Sequence, residues 1–499
     1  MSPALLVNRG TSADRASPAM SGPSFRTIAL IIASAMFMEQ LDATILATAL
    51  PTMARDFSVS APNMSVALTS YLLSLAVFIP ASGKVADRFG SRTVFRAAIV
   101  IFVLGSILCA FAPTLPLFVA ARAIQGVGGA MMMPVGRLVL LRSVERRNMV
   151  SAMSWLLVPA MIGPIIGPPV GGFIVTYLDW RWIFFINVPI GLLGVVLVTL
   201  FIENVKGDRP ERFDGLGMLI SGIALGCLFF GFELMSHPGF GPLVFALLGT
   251  GTAAGVLYVL HARRVRDPIL DLSLMRLPSF GTSVVAGALT RITQGAHPFL
   301  LPLMLQLGFG LSAAQSGTII IATAIGSVSM KAFASRLLRR FGFRLSLIVN
   351  GIVASAGYAV CAAFRPGWPF PLMFGVLLAC GFFMSFQFTA YNTVAFDEVP
   401  ASRMSAATSF YTTFQQLMLS VGICVASIAL QGSMVLRGHL IPGLDDFSAA
   451  FLVVTAISLS ATLWNMRFAH DAGREISGQR VSARTATVVG EACDQGKSA

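Results

Sequence analysis

About fourteen long apolar segments, each near twenty residues, follow one another from residue 27 to residue 468. A helix needs roughly 20 apolar residues to cross the hydrocarbon core of a bilayer, where every backbone N–H and C=O must be paired within the protein. The pattern therefore predicts an all-α polytopic membrane protein. The segments lie at residues 27–50, 64–83, 93–112, 115–137, 149–176, 181–202, 215–235, 241–262, 280–305, 314–335, 344–364, 370–394, 404–431 and 447–468.

Composition agrees with a membrane protein and excludes a soluble one. Of the 499 residues, 56% are hydrophobic and 11% are charged, whereas a soluble chain carries about 25% charged residues. The net charge is +13, but the basic residues lie in short clusters between apolar segments, so we expect no nucleic-acid partner. The six cysteines are isolated and none has metal-ligand spacing, so we expect no metal site and no cofactor. No phosphate-binding Gly-x-x-x-x-Gly-Lys-Ser/Thr motif occurs, so ATP is not the expected driving force.

Basic residues collect in the even-numbered connections between the segments. Short cytoplasmic loops carry an excess of Lys and Arg, so we expect both termini in the cytoplasm of a bacterium and the protein in its cytoplasmic (inner) membrane. The polar ends, residues 1–25 and 469–499, are predicted to be disordered cytoplasmic tails. The even-numbered connections contain Lys84, Arg88, Arg92, Arg96, Arg142, Arg146, Arg147, Lys206, Arg209, Arg212, Arg263, Arg264, Arg266, Arg276, Arg336, Arg339, Arg340, Arg344 and Arg403, while the odd-numbered ones contain little beyond Arg55, Arg181, Arg365 and Arg437.

An internal repeat indicates the architecture. Residues 83–92, after the second segment, align with residues 335–344, after the tenth, and both copies end in Arg-Phe-Gly followed one residue later by Arg. A six-helix half that is repeated after a two-helix insert places the second copy eight helices later. We therefore predict an N-terminal half at 26–203, an inserted helix pair at 214–262 and a C-terminal half at 280–468. Two helical halves around a central cavity suit alternating access.

The fifth segment contains four glycines and three prolines within residues 163–172. A helix persists in hydrocarbon despite such residues, bent at the prolines, and its smooth glycine face lets another helix approach closely. One interpretation is a static packing seam. The density of glycine and proline favours a kinked helix at a moving interface. The residues of this stretch are Gly163, Pro164, Gly167, Pro168, Gly171 and Gly172.

Five motifs in register resemble the major facilitator superfamily, in its fourteen-span EmrB/QacA-type group of drug:proton antiporters. The resemblance runs from about residue 27 to 468. It implies the major facilitator fold, with two six-helix halves plus two inserted helices, and proton-coupled antiport. The motifs are Leu41-Asp42-Ala43-Thr44-Ile45 with Ala49-Leu50-Pro51, the loop Gly83 to Arg92, Arg122 with Gln125-Gly126, the antiporter-type helix stretch Gly163 to Gly172, and Trp180 to Gly191.

The resemblance implies that the loop after the second segment acts as a conformational latch between helices. Asp87 is its acid, and a carboxylate is stabilised by neighbouring arginines and by a helix N-terminus. The second copy of the loop has Arg339 at the equivalent position, so an acid-based latch is expected only in the first half. The alternative is that the basic residues only hold the loop on the cytoplasmic side of the membrane, and we prefer this alternative for Arg92. The latch motif comprises Gly83, Asp87, Arg88, Gly90 and Arg92.

Ionisable groups at bilayer depth usually face a cavity or a partner because their burial is costly. Glu39 and Asp42 lie at i and i+3 in the first segment, which places their Cβ atoms about 5 to 6 Å apart. Such a pair disfavours double ionisation, so one proton can be shared or exchanged. We predict a role for Asp42 in proton coupling or cation contact; the alternative is a structural role, bonded to hydroxyls such as that of Thr44. Asp42→Asn is expected to abolish proton-driven efflux with folding intact.

Arg122 in the fourth segment stays charged at any physiological pH. Its position in the motif suggests a counter-charge that lowers the pKa of an acidic partner, and together with Glu39 and Asp42 it forms the predicted proton-coupling set. The sequence does not identify which acid it meets. The alternative is an arginine tied to helix-end carbonyls. Gln125 lies on the same helical face.

A wall of the substrate pathway is predicted in the ninth segment. Arg291, Gln294 and His297 are spaced i, i+3 and i+6, so they can line one cavity. A lone histidine such as His297 is as often a packing residue. Neither Arg291 nor Lys331 falls on a motif of the antiporter group, so the motifs alone do not define the substrate class. The predicted substrate pathway comprises Gln125, Arg291, Gln294, His297, Gln387, Tyr391, Asn392 and Gln415.

Together these features favour a proton-coupled secondary exporter of amphipathic small molecules that are cationic or neutral, working by alternating access and not as an enzyme. Its expected partners are a small-molecule substrate, protons and the lipid bilayer. An exporter or importer of one native metabolite is the alternative within transport, and a non-transporting membrane sensor is the alternative from another class. Buried titratable groups count against the sensor. The sequence leaves open the substrate, the proton stoichiometry and any accessory efflux adaptor.

Overall fold

The computed structural model describes residues 24–144, 149–206, 214–234, 241–265, 268–400, 403–469 and 473, and these ranges contain helices but no β-strand. Short turns of 3₁₀ or π-helix lie at Ala61–Met64, Leu272–Arg276, Met304–Gly308 and Asn465–Arg467. The α-helices are α1 (Phe25–Asp56), α2 (Ser65–Phe89), α3 (Ser91–Phe111), α4 (Leu115–Ser143), α5 (Met149–Tyr177), α6 (Trp182–Phe185), α7 (Asn187–Phe201), α8 (Gly215–Leu234), α9 (Gly241–Ala262), α10 (Pro278–Leu303), α11 (Ala313–Lys331), α12 (Ala334–Ala362), α13 (Phe370–Val394), α14 (Met404–Arg437) and α15 (Leu444–Trp464).

Twelve helices in the described ranges are long and apolar enough to cross a bilayer, by length and composition. Each coincides with one of the apolar segments of the sequence. The two remaining segments form α5, apolar from Met161 to Tyr177, and α10, which contains Arg291 and His297. The prediction of an all-α polytopic membrane protein is confirmed, whereas the count of fourteen crossings stays a prediction. The two predicted tails lie almost wholly outside the described residues.

Local sequence explains where several helices begin and end. Ser312 opens α11 with a capping box, since its hydroxyl accepts from the N–H of Gln315 (3.2 Å) while the Gln315 side chain accepts from the N–H of Ser312 (3.0 Å). Pro278 occupies the first turn of α10, where a missing N–H has no partner within the helix anyway. Gly438 ends α14 in the left-handed conformation, with φ at 71°. α5 stays helical through Pro159, Pro164, Pro168 and Pro169.

Contacts divide the helices into two bundles and a hairpin. In the first bundle, α1 to α7, α1 packs on α5, and α4 packs on both α2 and α3. In the second bundle, α10 to α15, α11 packs on α13, and α10 packs on both α14 and α15. The hairpin of α8 and α9 packs chiefly on itself and touches α2 and α14. The site described below lies in and between the two bundles.

Two faces of the glycine-rich stretch of α5 pack closely against other helices. On one face a Cβ at Gly167 would overlap the Thr44 side chain of α1. On the other face a Cβ at Gly172 would overlap the backbone of Ala313 at the start of α11. Helix backbones come this close only where a side chain is missing. α5 therefore has one seam within the first bundle and one seam against the second. The glycines on the α1 face are Gly163, Gly167 and Gly171.

The two bundles are joined by hydrogen bonds toward one end of the helices. That end carries the odd-numbered connections of the chain. The loop of residues 83–92 follows the opposite end of α2. At the same joined end, Gly317 of α11 packs against the backbone of Pro168 in α5. The joining bonds run from Ser65 to Ser427 (3.4 Å), from Gln306 to the Thr48 carbonyl (2.9 Å) and from the Ala314 N–H to Thr176 (3.0 Å).

The hairpin is fastened to the chain around Asp214, which immediately precedes α8. The Asp214 carboxylate accepts from His261 of α9 (2.8 Å) and from the backbone N–H groups of Gly217 (2.8 Å) and Ile269 (3.3 Å). Burial raises the pKa of this carboxyl, but the hydrogen bonds and the nearby His261 outweigh burial, so the net pKa lies below its ordinary value. The ionised carboxylate thus ties both hairpin helices to the connection that leads into α10.

We expect Gly317→Ala to weaken the closure of the bundles, because the added methyl would push α11 away from Pro168. Ser65→Cys/Ser427→Cys, in a chain whose native cysteines are replaced by alanine, should form a disulfide across the bundles. The rate of that disulfide, followed by gel mobility, should fall several-fold in Gly317→Ala. Gly375→Ala is the matched control, since nothing lies within 4 Å of a Cβ there. Equal rates in the three proteins would contradict this role of the seam.

We expect Asp214→Asn to lower the stability of the full chain by an amount on the order of 1 kcal/mol at neutral pH, since the charged acceptor is lost. A carboxyl whose folded pKa is lowered contributes stability above its unfolded pKa, about 3.9, and loses it as the pH falls through the folded value. The difference in thermal unfolding between the variant and the native protein should therefore shrink below about pH 4. A difference that stays constant across this range would contradict the assignment.

Candidate functional site

Asp42 lies at the centre of a buried polar cluster in the first bundle. Its side chain is 1% exposed. One carboxylate oxygen accepts from the Arg122 guanidinium (2.7 Å), and the other accepts from the side-chain amides of Gln125 (3.0 Å) and Asn187 (3.0 Å). Charge-assisted bonds of this kind stabilise an ionised carboxylate in a medium of low dielectric. The acidic partner of Arg122, which the sequence left open, is therefore Asp42.

The guanidinium of Arg122 is held in a fixed orientation. Its Nε donates to the Ala67 carbonyl of α2 (3.2 Å), and its Nη1 donates to Gln125 (2.5 Å) as well as to Asp42. The plane lies over the ring of Tyr71, with 4.5 Å from the guanidinium carbon to the ring centroid. This geometry differs from the alternative of an arginine tied only to helix-end carbonyls.

Two members of the cluster were missed by sequence reasoning. Asn187 is fully buried at the first position of α7, and Ser106 of α3 accepts from both Asn187 (3.1 Å) and Gln125 (2.8 Å). Asn187 lies inside the motif from Trp180 to Gly191, so a signal for it was present. Ser106 is a single hydroxyl in an apolar segment, and only the packing of α3 on α4 brings it to the cluster.

Glu39 is buried one turn before Asp42 and is 6% exposed. Its Oε2 atom has no hydrogen-bond partner. The alternative for Asp42, a bond to the hydroxyl of Thr44, is not seen, because that hydroxyl donates to the carbonyls of its own helix at Gln40 (2.9 Å) and Leu41 (3.1 Å). The two acids therefore have different surroundings: Asp42 is ion-paired, and Glu39 retains an unsatisfied oxygen.

A cavity of about 170 Å³ lies between the bundles. α1, α2 and α4 form its wall on one side, and α10 and α14 form the wall on the other. Its polar lining is supplied by Tyr71, Arg122 and Gln294, and the remaining lining is apolar, including Leu68 and Ile423. The buried ion pair of the first bundle thus borders this cavity through Arg122.

The structure brings Arg291 and Gln294 of the predicted pathway together. Arg291 is 2% exposed and donates through Nη1 to Gln294 (2.8 Å), which in turn donates to the Met384 carbonyl (3.0 Å). The guanidinium carbon lies 3.9 Å from the ring centroid of Phe388. Gln415 lines a small cavity beside Arg291.

The other predicted pathway residues do not converge on the central cavity. His297 is buried between the rings of Tyr358 and Phe451, and its Nε2 has no partner. The hydroxyl of Tyr391 donates to Asn465 (2.6 Å). Asn392 donates to the Phe388 carbonyl of its own helix (2.9 Å), Gln387 is buried with an unpaired oxygen, and Lys331 is exposed in the last turn of α11. The four pathway residues His297, Tyr391, Asn392 and Gln387 are not part of the cavity lining, and neither is Lys331, for which no role was predicted.

The predicted latch loop is attached to its own bundle. Asp87 pairs with Arg142 at the end of α4 (2.5 Å), and Arg142 also donates to the Val205 carbonyl (3.1 Å). Arg92 donates to the carbonyl of Ile202 (3.2 Å). The partner of Asp87 is thus Arg142 and not an arginine of the loop itself. Two further motif residues lie beside the pair: Gly90, with φ at +93°, and Arg88, stacked on Phe89. Gly83 has open space around it.

These helices and their buried charge centre define a polytopic α-helical membrane protein with a cavity between two bundles. The model of the Major Facilitator Superfamily matches residues 32–423. The chain therefore belongs to the Major Facilitator Superfamily, as the five motifs predict.

Two relatives are similar over most of their length. One, from Pectobacterium carotovorum subsp. carotovorum (strain PC1), is provisionally named multidrug resistance protein MdtD and is 36% identical over 455 residues, covering 89% of this chain and 96% of the relative. A protein of the same name from Escherichia coli O6:H1 is 37% identical over 405 residues, covering 80% of this chain and 85% of the relative.

Solved structures share the fold. The POT family transporter PepTSo superposes with a TM-score of 0.66 at 13% identity, covering 89% of this chain and 98% of that one. A bacterial homologue of the human lysosomal transporter Spinster, inward-facing and occupied, superposes with a TM-score of 0.63 at 12% identity, covering 88% and 95%. At these identities the likeness concerns the fold alone, and it confirms the predicted major facilitator architecture.

We expect Asp42→Asn to destabilise the protein by about 3 to 5 kcal/mol, because it leaves the Arg122 guanidinium buried without an anion. The double variant Asp42→Asn/Arg122→Gln removes both charges and should recover most of that loss. Thermal unfolding of the native protein, both single variants and the double variant completes the cycle. A double variant as unstable as the sum of the singles would contradict an ion pair that acts as a unit.

This expectation revises the one drawn from sequence, that Asp42→Asn leaves folding intact. The sequence placed this carboxylate beside Glu39 but did not show which acid pairs with Arg122. In the structure it neutralises Arg122 and accepts two amide hydrogen bonds, so its removal affects the packing of α1 against α4 and α7.

Proposed function

We propose that the chain is a proton-coupled secondary exporter of amphipathic small molecules. Support comes from its membership of the Major Facilitator Superfamily and from relatives that are named as multidrug resistance proteins. The single observation on which the mechanism rests is the buried pair of Asp42 and Arg122, because one partner of the pair also lines the cavity between the bundles.

Protonation of Asp42 is the coupling step of this proposal. A proton on the carboxyl cancels its charge and removes the reason for the short contact with Arg122. The freed guanidinium then stays charged and faces the cavity, where it changes the electrostatics of the substrate site. Binding of the proton and binding of substrate are thereby linked through one charge in the cavity, which is the requirement for coupled transport.

Glu39 is the proposed second proton carrier. It lies one helical turn from Asp42, is buried, and has an oxygen that no neighbour satisfies. A neutral carboxyl tolerates such surroundings better than a carboxylate does. We propose that Glu39 holds a proton while Asp42 is paired and passes it on when the pair opens.

The two lobes that move are proposed to be residues 26–203 and 280–468, with the pair at 214–262 as a hairpin beside them. The bundles are joined at the end that carries the odd-numbered connections, which the basic-residue pattern assigns to the outside. Both termini and the latch loop would then be cytoplasmic, in the inner membrane of a bacterium. The conformation seen is accordingly one closed on the outside. When the protein closes on the cytoplasmic side and opens to the outside, Asp87 and Arg142 would separate and form contacts with the other lobe.

We expect substrate to dissipate a proton gradient in everted membrane vesicles that contain the protein. A pH-sensitive dye reports the gradient, and the panel includes cationic, neutral and anionic amphipathic dyes. Asp42→Asn should abolish the response because no proton is then exchanged, and Glu39→Gln should reduce it. Asp445→Asn removes an exposed acid outside the cluster and should leave the response unchanged.

The response of the unmodified protein is compared at equal amounts in the membrane, since Asp42→Asn is expected to be less stable. A full response in Asp42→Asn would reject proton coupling through this residue. No response of the unmodified protein to any member of the panel would favour a narrow metabolite transporter or a sensor over a multidrug exporter.

A further inference from the structure

The second bundle buries a positive charge without an anion. Arg291 is 2% exposed, and among the described residues the groups that face its guanidinium are Gln294, Phe388 and the tyrosines Tyr391 and Tyr411, none of them a carboxylate. Its Nη2 is buried without a hydrogen-bond partner. A guanidinium cannot discharge itself by losing its proton, since it stays ionised at any physiological pH.

Arg122 and Arg291, the two arginines that are buried in the described part of the chain, make an informative comparison. Arg122 has its own anion in Asp42, at 2.7 Å. Arg291 has one amide oxygen, one aromatic face and the hydroxyl of Tyr411, all uncharged. The attraction of a cation to an aromatic ring is smaller than the cost of removing an ion from water. The second site is therefore electrostatically incomplete as it stands, and the first is complete.

Other unsatisfied donors surround the same point. A cavity of about 10 Å³ is lined by the side chains of Ser283, Arg291, Tyr411 and Gln415, and we name it the Arg291 pocket. The hydroxyl of Ser283 is buried without a hydrogen-bond partner, and the hydroxyl of Tyr411 faces the Arg291 guanidinium. The volume is about that of one water molecule or one carboxylate oxygen. Guanidinium and hydroxyl groups that converge on one point are the donors that bind a carboxylate.

The Arg291 pocket adjoins the central cavity through Gln294. That side chain lines the 170 Å³ cavity, and its oxygen accepts from Arg291. The cavity itself has apolar walls such as Leu68, Leu72 and Ile423. An amphipathic molecule can place its apolar body there and direct a charged end past Gln294 to Arg291.

We propose that the Arg291 pocket binds the carboxylate of the transported molecule, so that the protein accepts organic anions. This inference rests on the proposed transport function and replaces the sequence-based expectation of cationic or neutral substrates with organic anions. Arg291 supplies the charge and the paired N–H donors. Ser283 and Tyr411 supply the remaining hydrogen bonds.

The test compares 2-naphthoate with its uncharged amide, 2-naphthamide, as ligands of the full chain. The protein is reconstituted in nanodiscs of phosphatidylcholine, and binding is measured by calorimetry in a low-salt buffer that contains no carboxylate. We expect 2-naphthoate to bind at least about tenfold more tightly than 2-naphthamide. Equal binding of the two by the unmodified protein would overturn the proposal, and this comparison needs no variant.

Variants then test whether the preference for 2-naphthoate depends on the Arg291 pocket. Arg291→Gln should bring the two affinities within about twofold of each other, and Tyr411→Phe should reduce the preference several-fold. Arg276→Gln removes an exposed arginine that precedes α10 and should retain the full preference. A preference that survives Arg291→Gln in protein with a normal unfolding transition would overturn the proposal.

Two further measurements test chloride and phosphatidylglycerol at the same pocket. If either binds with the same dependence on Arg291 and is not displaced by 2-naphthoate, the pocket holds a fixed counter-ion or a lipid and the proposal is overturned. Displacement by 2-naphthoate supports it. The dependence of proton exchange on Asp42 is measured separately in vesicles, so failure of the anion proposal and failure of proton-coupled transport give different results.

Discussion

A carboxylate and a guanidinium buried against each other in the first bundle fix the positions of five helices. Asp42 of α1 is bound by Arg122 and Gln125 of α4 and by Asn187 of α7, while α2 and α3 contribute Ala67 and Ser106. In a medium of low dielectric neither charge is stable without the other, so these helices cannot shift independently. The proposed coupling uses the same dependence, because a proton on Asp42 would remove one half of this balance.

Close backbone contact, and not side-chain chemistry, governs how the bundles meet. Gly172 and Gly317 sit where α5 and α11 touch, and a Cβ at either would overlap the backbone of the opposite helix. The joining hydrogen bonds use hydroxyls, an amide and backbone groups, all uncharged at neutral pH. The buried ion pair of Asp42 and Arg122 is therefore not part of the contact on which the bundles close. In the proposed mechanism, protonation of the first bundle would leave this surface unaltered.

Sequence reasoning succeeded where one local pattern determines the outcome. Apolar segments predicted the helices, and five motifs predicted the superfamily, because hydrocarbon leaves the backbone few alternatives. It selected Asp42, Arg122 and Gln125 because polar groups at membrane depth are rare. It could not pair them, since α1 and α4 are 80 residues apart where Arg122 meets Asp42. Ser106 was missed and His297 was placed in the pathway for the same reason: the direction of a side chain within a bundle is set by neighbouring helices.

The hairpin of α8 and α9 shields from lipid the contact between α2 and α14, where the two bundles also meet. Phe229 of α8 packs with Leu73 of α2 and Cys424 of α14, so α8 covers the line along which those two helices meet. Acyl chains approaching from that flank encounter protein before they reach the joint. The molecule is thereby lopsided toward the bilayer, and a solute dissolved among the lipids would have to enter from the flank that the hairpin leaves uncovered.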